Sequence, residues 1–152
     1  SPPKPCRYWA WLGEAMVEFN QTTPNQAQYL QGFGGDTSNA TIAAARAGAR
    51  TAYLSRVGAD TFGRLLLQLW GQEGVNTSGV STASASHTGI YFVTHGSQGH
   101  EFSYLRADSA ASRMTPQWLA DGRWEVDVAG TRHPAVVSLR PMYDPTSARV
   151  TG

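Results

Sequence analysis

The sequence is poor in cysteine, in lysine and in long apolar runs. Its 152 residues include a single cysteine, Cys6, which cannot form a disulfide within the chain. No paired Cys/His spacing indicates zinc, so we expect no metal site. The lone cysteine indicates a reducing compartment, and we expect a cytoplasmic location. No apolar run is long enough to cross a bilayer, and the opening Ser-Pro-Pro-Lys-Pro lacks the basic-then-apolar pattern of a secretory signal.

The charge balance argues against polyanionic partners. Twelve basic residues, only one of them lysine, face eleven acidic residues, which gives a formal net charge of +1. Proteins that bind nucleic acid or an anionic membrane usually carry a clustered basic excess. The composition therefore predicts neither a nucleic acid nor a membrane as a partner. The length is sufficient for one core of ordinary size.

Glycine followed by polar residues at a helix start is the most informative feature present. Residues 32–39 read Gly-Phe-Gly-Gly-Asp-Thr-Ser-Asn. Glycine allows a ligand to lie close to the backbone, and oxygen- and amide-bearing side chains beside free helix-terminal N–H groups suit a polyhydroxylated ligand. The stretch therefore predicts a small-molecule site. The alternative is a glycine-rich turn that caps an ordinary helix.

Extended and helical patterns alternate along the chain, which predicts an α/β fold with at least part of the sheet parallel. Extended segments are predicted at residues 8–12, 15–19 and 51–57. Residues 81–86 are predicted as a loop, and residues 88–94 and 100–106 as the strands of a β-hairpin.

Two helices are predicted between these segments. The first follows the glycine stretch, and its small residues should allow it to approach a sheet closely: Ala40, Ala43, Ala44 and Ala47. The second ends near Gly74 and has apolar residues at helical spacing, which we interpret as core: Phe62, Leu65, Leu66, Leu69 and Trp70.

Residues 34–58 resemble the N-terminal signature of the ribokinase-like (PfkB-type) carbohydrate kinases. The matching positions are Gly34, Gly35, Asn39, Thr41, Gly48 and Gly58. The family usually has a small residue or proline where Thr37 stands, and the Gly-Gly-Asp-Thr form is similar to that of 2-keto-3-deoxygluconate kinases. Further segments resemble the family in the same order, and the resemblance covers roughly residues 12–116. These segments are 13–18, 57–63, 88–91 and 102–106.

The resemblance implies a ribokinase-like three-layer α/β/α core with a small β-strand lid. Residues 1–116 would be the N-terminal part of a sugar kinase domain, with lid strands at about 88–106, and residues 117–152 a divergent C-terminal tail. Both ends match the family poorly, which motivates the hypothesis of a fragment or a locally shifted reading frame. Sequencing the source gene across both junctions tests it. Lid strands often pair across a dimer in the family, so a homodimer is expected.

The activity implied is ATP- and Mg²⁺-dependent phosphorylation of the sugar acid 2-keto-3-deoxygluconate to its 6-phosphate. In the family, the second half carries a Gly-x-Gly-Asp motif that supplies the base and an anion hole, and this sequence contains no such motif. We therefore assign no catalytic residue and no ATP ligand, and expect the chain to bind rather than catalyse. Another kinase of the family, such as a fructokinase or ribokinase, and a non-catalytic sugar-binding or dimerising fragment remain alternatives.

The resemblance also assigns substrate contacts. Sugar hydroxyls would be met by Gly34, Gly35, Asp36 and Asn39, and the acid end would be surrounded by Tyr91, Tyr104 and Arg106. A guanidinium can form two parallel hydrogen bonds to a carboxylate, which a neutral sugar does not need. The alternatives are that Arg106 is a surface arginine at a strand end and that the two tyrosines are cross-strand packing partners.

Other titratable residues give weaker signals. Glu14 and Glu18 are an even number of residues apart and would share one face of a strand, but too far apart for a shared-proton dyad. We interpret them as structural or solvent-facing. The histidines lack ligand spacing and are predicted to be exposed or in loops: His87, His95, His100 and His133.

Overall fold

The computed structural model describes residues 8–121, 124–128 and 131–135, with side chains for residues 8–120. In chain order the strands are β1 Trp9–Leu12, β2 Met16–Gln21, β3 Tyr29–Gly34, β4 Thr51–Gly58, β5 Val80–Ala83, β6 Ile90–Gly96, β7 Gly99–Leu105, β8 Trp124–Val128 and β9 Thr131–Ala135. The α-helices are α1 Asp36–Arg46, α2 Thr61–Gln72 and α3 Pro116–Asp121, and a 3-10 turn covers Ala111–Arg113. None of the described helices is long and apolar enough to cross a bilayer.

A parallel sheet in the order β1-β4-β5 supports both long helices. The side chain of Tyr53 on β4 touches each of them. Its hydroxyl lies 2.8 Å from the hydroxyl of Thr37 on α1, and its ring centroid lies 4.8 Å from that of Trp70 on α2. The two helices therefore pack side by side on one face of the sheet. The prediction of an α/β fold with parallel strands is confirmed.

A second sheet, the lid sheet, has the order β3-β2-β6-β7. β2 and β6 are parallel and the other pairs are antiparallel. Strands β6 and β7 form the predicted hairpin, with Tyr91 opposite Tyr104. Successive side chains on a strand point to opposite faces. One face packs on the core through Val17, Phe19, Phe33 and Ile90. The opposite face, called here the outer face, carries Glu18, Gly32, Tyr91 and Tyr104 in one row.

Helix α1 packs through a different side from the one predicted. Ala40, Ala43 and Ala47 are exposed, whereas the buried residues of α1 are Ser38, Thr41 and Ile42. The two hydroxyls can be buried because both are hydrogen-bonded. Trp70 Nε1 donates to Ser38 Oγ at 2.9 Å, and Thr41 Oγ1 donates to the carbonyl of Thr37 at 2.7 Å.

One further expectation needs correction. Residues 81–83 do not belong to a loop, because they continue β5 and pair with residues 56–58 of β4. Beyond residue 116, β8 and β9 pair as an antiparallel hairpin.

Candidate functional site

The glycine segment lies at the junction between β3 and α1, where three parts of the chain meet. Gly35 has a φ of 115°, a conformation that L side chains rarely adopt, and a Cβ there would lie 2.6 Å from the carbonyl oxygen of Glu14. Gly34 is buried, and a Cβ there would collide with the ring of Tyr91. Both glycines are therefore needed for close approach, one to the β1–β2 connection and the other to β6.

Asp36 and Asn39 occupy the first turn of α1, and both are exposed. The backbone N–H of Asn39 donates to the carbonyl of Gly35 at 2.9 Å, so its main chain is part of the helix. The charge of Asp36 reaches the lid sheet, where it contributes to the raised pKa of Tyr91. The carboxylate and the amide are thus available to a ligand over the glycine segment. Among the described residues, no hydrogen bond joins the side chain of Asn39 to the lid sheet.

Tyr91 and Glu18 form the centre of the row on the outer face. The Tyr91 hydroxyl donates to Glu18 Oε2 at 2.5 Å. Burial raises the pKa of Tyr91, and the hydrogen bond and charge of Glu18 raise it further. Tyr91 therefore remains a neutral donor near neutral pH. The ring of Tyr104 lies 5.5 Å from that of Tyr91, and 53% of Tyr104 is exposed.

Arg106 follows β7 and is paired with Glu14. Its Nη2 lies 2.8 Å from Glu14 Oε1, and the hydroxyl of Ser109 donates to Glu14 Oε2 at 2.5 Å. The side chain of Arg106 is 51% exposed and that of Glu14 only 10%. Glu14 precedes β2, so the prediction that Glu14 and Glu18 share a strand face is wrong, and Glu14 is not solvent-facing.

Sequence reasoning did not include Glu18 in the site, although the structure places it beside Tyr91 and Gly32. A Cβ on Gly32 would lie 3.5 Å from Glu18 Oε1, so the carboxylate lies over the glycine-bearing strand. The usable signal was a single carboxylate in β2, a strand that begins with buried Met16 and Val17. Such a carboxylate needs a partner, and Tyr91 supplies it.

The structure brings most of the predicted residues together. Gly34 contacts Tyr91, Tyr91 packs on Tyr104, and Arg106 lies beside Gly89, where an added Cβ would be 3.4 Å from the Cβ of Arg106. The residues predicted to meet hydroxyls and those predicted to meet the acid end therefore border a common region. Their roles as ligand contacts stay predictions. The packing alternative for the two tyrosines also holds in part, because their rings pack against each other across the hairpin at an angle of 30°.

The histidines are less scattered than their sequence positions suggest. Nδ1 of His95 and Nδ1 of His100 lie 2.6 Å apart, and His95 Nε2 lies 2.8 Å from Asn20 Oδ1. His87 lies between two carbonyl oxygens, of Thr88 and Ala107, at 3.0 and 2.9 Å. Within the described part of the chain, no group of three or more histidine, cysteine or acidic side chains could hold a metal ion.

The chain thus combines a parallel sheet covered by helices with a lid sheet and a glycine-lined polar region where the two meet. The sequence matches the pfkB family of carbohydrate kinases over residues 7–131. This chain belongs to that family, and the resemblance found in the sequence is confirmed. The match extends beyond residue 116, and the division of the chain at that residue stays a prediction.

Relatives with different substrate names are similar to this chain. It is 37% identical over 116 residues to the 2-dehydro-3-deoxygluconokinase of Thermoproteus tenax, covering 69% of this chain and 34% of that protein. It is 31% identical over 114 residues to probable fructokinase-4 of Arabidopsis thaliana, covering 71% and 35%. The chain therefore spans about a third of the length of these relatives.

Solved structures confirm the ribokinase-like fold. The fructokinase of Xylella fastidiosa with bound ATP superposes with a TM-score of 0.65 at 25% identity, over 75% of this chain and 36% of that one. The match therefore covers only about a third of the length of that structure as well.

Proposed function

We propose that this chain forms the sugar-binding part of a kinase that phosphorylates 2-keto-3-deoxygluconate, also named 2-dehydro-3-deoxygluconate, at its 6-hydroxyl. The observation that carries the proposal is the half-exposed guanidinium of Arg106, two residues beyond Tyr104 in the chain and beside the row that contains Tyr91 and Tyr104. A guanidinium in that position can bind a sugar carboxylate through paired hydrogen bonds. The similarity to the archaeal 2-dehydro-3-deoxygluconokinase supports the same substrate class.

The described residues supply binding rather than phosphoryl transfer. Gly34 and Gly35 bring the glycine segment against Tyr91 and Glu14, where its peptide groups would meet the sugar. Asp36 and Glu18 accept hydrogen bonds from hydroxyls, and Arg106 binds the acid end. ATP with Mg²⁺ would supply the transferred phosphoryl group and neutralise its charge. The described side chains include no cluster that fits Mg²⁺, so no step is assigned to the metal or the nucleotide. A cytoplasmic location, supported by the lone cysteine, is part of the proposal.

A kinase for a neutral hexose is the second candidate. Glu14 already balances the charge of Arg106, and the carboxylates of Glu18 and Asp36 suit hydroxyl groups better than a second anion. The similarity to plant fructokinases favours the same alternative. The two candidates differ in the role of Arg106, which is essential only for an acidic substrate.

A non-catalytic sugar-binding or dimerising fragment is the third candidate. Leu30, Phe102 and Tyr104 all lie on the outer face of the lid sheet and are 68%, 53% and 53% exposed. Exposed apolar side chains on one sheet face suit a symmetric contact with a second copy. We therefore propose a homodimer formed through the lid strands, which is compatible with each of the three candidates.

Calorimetric titration of the chain with 2-keto-3-deoxygluconate, gluconate and fructose tests the assignment. We expect selective binding of the keto acid, and Arg106→Ala should weaken it by about tenfold or more while fructose binding changes little. The matched control is Arg113→Ala, because Arg113 is also exposed and ion-paired, with Asp108 at 3.6 Å, but lies outside the site.

Equal losses for acid and neutral sugars would favour the hexose kinase. A parallel ATP turnover assay separates a binding portion from a complete enzyme, and turnover by this chain alone would contradict the need for the missing base. A folded sample that binds no sugar would contradict all sugar-binding assignments.

A further inference from the structure

We infer that Glu14 is a positioning residue that holds the guanidinium of Arg106 toward the sugar and so determines the selectivity for an acidic substrate. The inference rests on the proposed function, because it gives a role to the residue that is proposed to bind the acid. Glu14 itself would not contact the substrate. It would act through Arg106.

The side chain of Glu14 is itself fixed from both ends of its carboxylate. Oε2 accepts the hydrogen bond from Ser109, and Oε1 lies 2.8 Å from Nη2 of Arg106. Gly89 packs against the same carboxylate, since a Cβ at that position would lie 3.0 Å from Oε2. Three segments, the β1–β2 connection, the start of β6 and the chain after β7, therefore converge on one side chain.

The pairing of Arg106 with Glu14 is difficult to break. Oε1 is buried and accepts no hydrogen bond of regular geometry among the described residues, so the charge of Arg106 is what compensates it. A buried carboxylate without a compensating cation is strongly unfavourable. Arg106 cannot leave Glu14 without this cost. A substrate carboxylate must therefore approach the exposed part of the guanidinium, with Nη2 still held by Glu14.

The backbone of Glu14 reaches the other half of the site. Its carbonyl oxygen lies against Gly35, so close that a Cβ on Gly35 would approach within 2.6 Å. One residue thus touches the glycine segment through its main chain and Arg106 through its side chain. This arrangement fixes the distance between the region proposed for hydroxyls and the region proposed for the acid.

The test is Glu14→Gln, which keeps the shape of the side chain and removes its charge. We expect the affinity for 2-keto-3-deoxygluconate to fall by about tenfold, with fructose affinity within about twofold of the parent chain. The double variant E14Q/R106A should be no worse than R106A alone, because Glu14 acts through Arg106. The matched control is Glu73→Gln, which breaks the Arg46–Glu73 ion pair between α1 and the end of α2 and should leave the acid-to-neutral ratio unchanged.

Equal losses for both sugars in E14Q would assign Glu14 a structural role and overturn the inference. Tighter binding of the acid would also overturn it, because Glu14 would then be a competitor for Arg106. An unchanged acid-to-neutral ratio would do the same.

A second measurement does not depend on the substrate. In the ligand-free chain, NMR resonances of the Arg106 guanidinium should show slow rotation about the Nε–Cζ bond, and this slowing should disappear in E14Q but not in E73Q. Free rotation in the parent chain would overturn the inference. If the slowing is present but the parent chain shows no preference for the acid, the proposed function fails while the positioning of Arg106 stands.

Discussion

The two sheets of this chain differ in what covers them. The parallel sheet lies beneath α1 and α2, where Tyr53, Leu66 and Trp70 have no exposed surface. The outer face of the lid sheet leaves Leu30, Phe102 and Tyr104 more than half exposed. Contacts within the chain are sufficient to bury the apolar side chains of the first region. The second carries apolar side chains in water beside the proposed sugar contacts, which is typical of a surface that binds a ligand or a partner.

The largest expected effect is on the covered sheet. Trp70 packs on Tyr53 and donates a hydrogen bond to buried Ser38, so Trp70→Ala should lower the free energy of unfolding by about 3–5 kcal/mol. Trp9→Ala is the matched control, because 68% of Trp9 is exposed, and it should change that energy by about 0.5 kcal/mol or less. Urea unfolding measures both. Similar losses in the two variants would contradict the contrast between covered and open regions.

A smaller effect is expected where the two sheets meet. Gly35→Ala adds an unfavourable positive φ and a collision with the Glu14 carbonyl, and should destabilise the chain by about 2 kcal/mol or more. Gly48 has a φ of 89° with open space around its Cβ position, so Gly48→Ala should cost about 1 kcal/mol from backbone strain alone. Denaturation midpoints measure both losses. Equal losses in the two variants would contradict a role for the close approach of Gly35 to the Glu14 carbonyl.

The open face is tested through self-association. Phe102→Asp places a charge on the proposed dimer surface and should raise the dimer dissociation constant by about tenfold or more. Leu12→Asp is the comparison variant, because Leu12 is 42% exposed on the parallel sheet and should leave the dimer unchanged. Sedimentation equilibrium measures both constants. A parent chain that remains monomeric at high concentration would contradict the dimer.

The smallest effect concerns the base of the lid hairpin and depends on pH. Hydrogen bonds to the carbonyls of Thr88 and Ala107 raise the pKa of His87 above its usual 6.5, and Asp60 and Asp108 act in the same direction. Only the imidazolium can donate from both ring nitrogens. The stabilisation should be complete below about pH 6.5 and should be lost as the pH rises through the folded-state pKa.

Melting temperatures measured across that range should therefore decrease with rising pH in the parent chain. His87→Gln should remove this component of the pH dependence. An NMR titration that gave His87 a pKa below 6.5 would contradict the proposed pair of hydrogen bonds.

Local patterns were sufficient to predict much of the fold. The two long helices, β4 and the lid hairpin have clear periodicity or turn residues, and each of these predictions is confirmed. β3 was not predicted, because Gly32 and Gly34 interrupt the alternation of Tyr29–Gly34. Nothing in the neighbouring sequence indicates that these two glycines belong to a strand. Gly34 is required by the ring of Tyr91, which comes from a strand far along the chain.

The same limit applies to the site. The glycine segment is visible because all its residues are neighbours in sequence, whereas the partners of Glu18 and Glu14 lie on β6 and after β7. Glu18 and Tyr91 are 73 residues apart, and no periodicity relates them. The buried side of α1 was predicted wrongly for a similar reason, because Ser38 looks polar until its hydrogen bond from Trp70, 32 residues away, is known.

The most direct test of a sugar site between the two sheets is an NMR titration of the isotopically labelled chain with 2-keto-3-deoxygluconate. The largest shifts should cluster at residues 34–39 and at Tyr91, Tyr104 and Arg106, with residues 96–99 at the tip of the lid hairpin unaffected. Shifts confined to the hairpin tip, or none in a folded sample, would contradict the site.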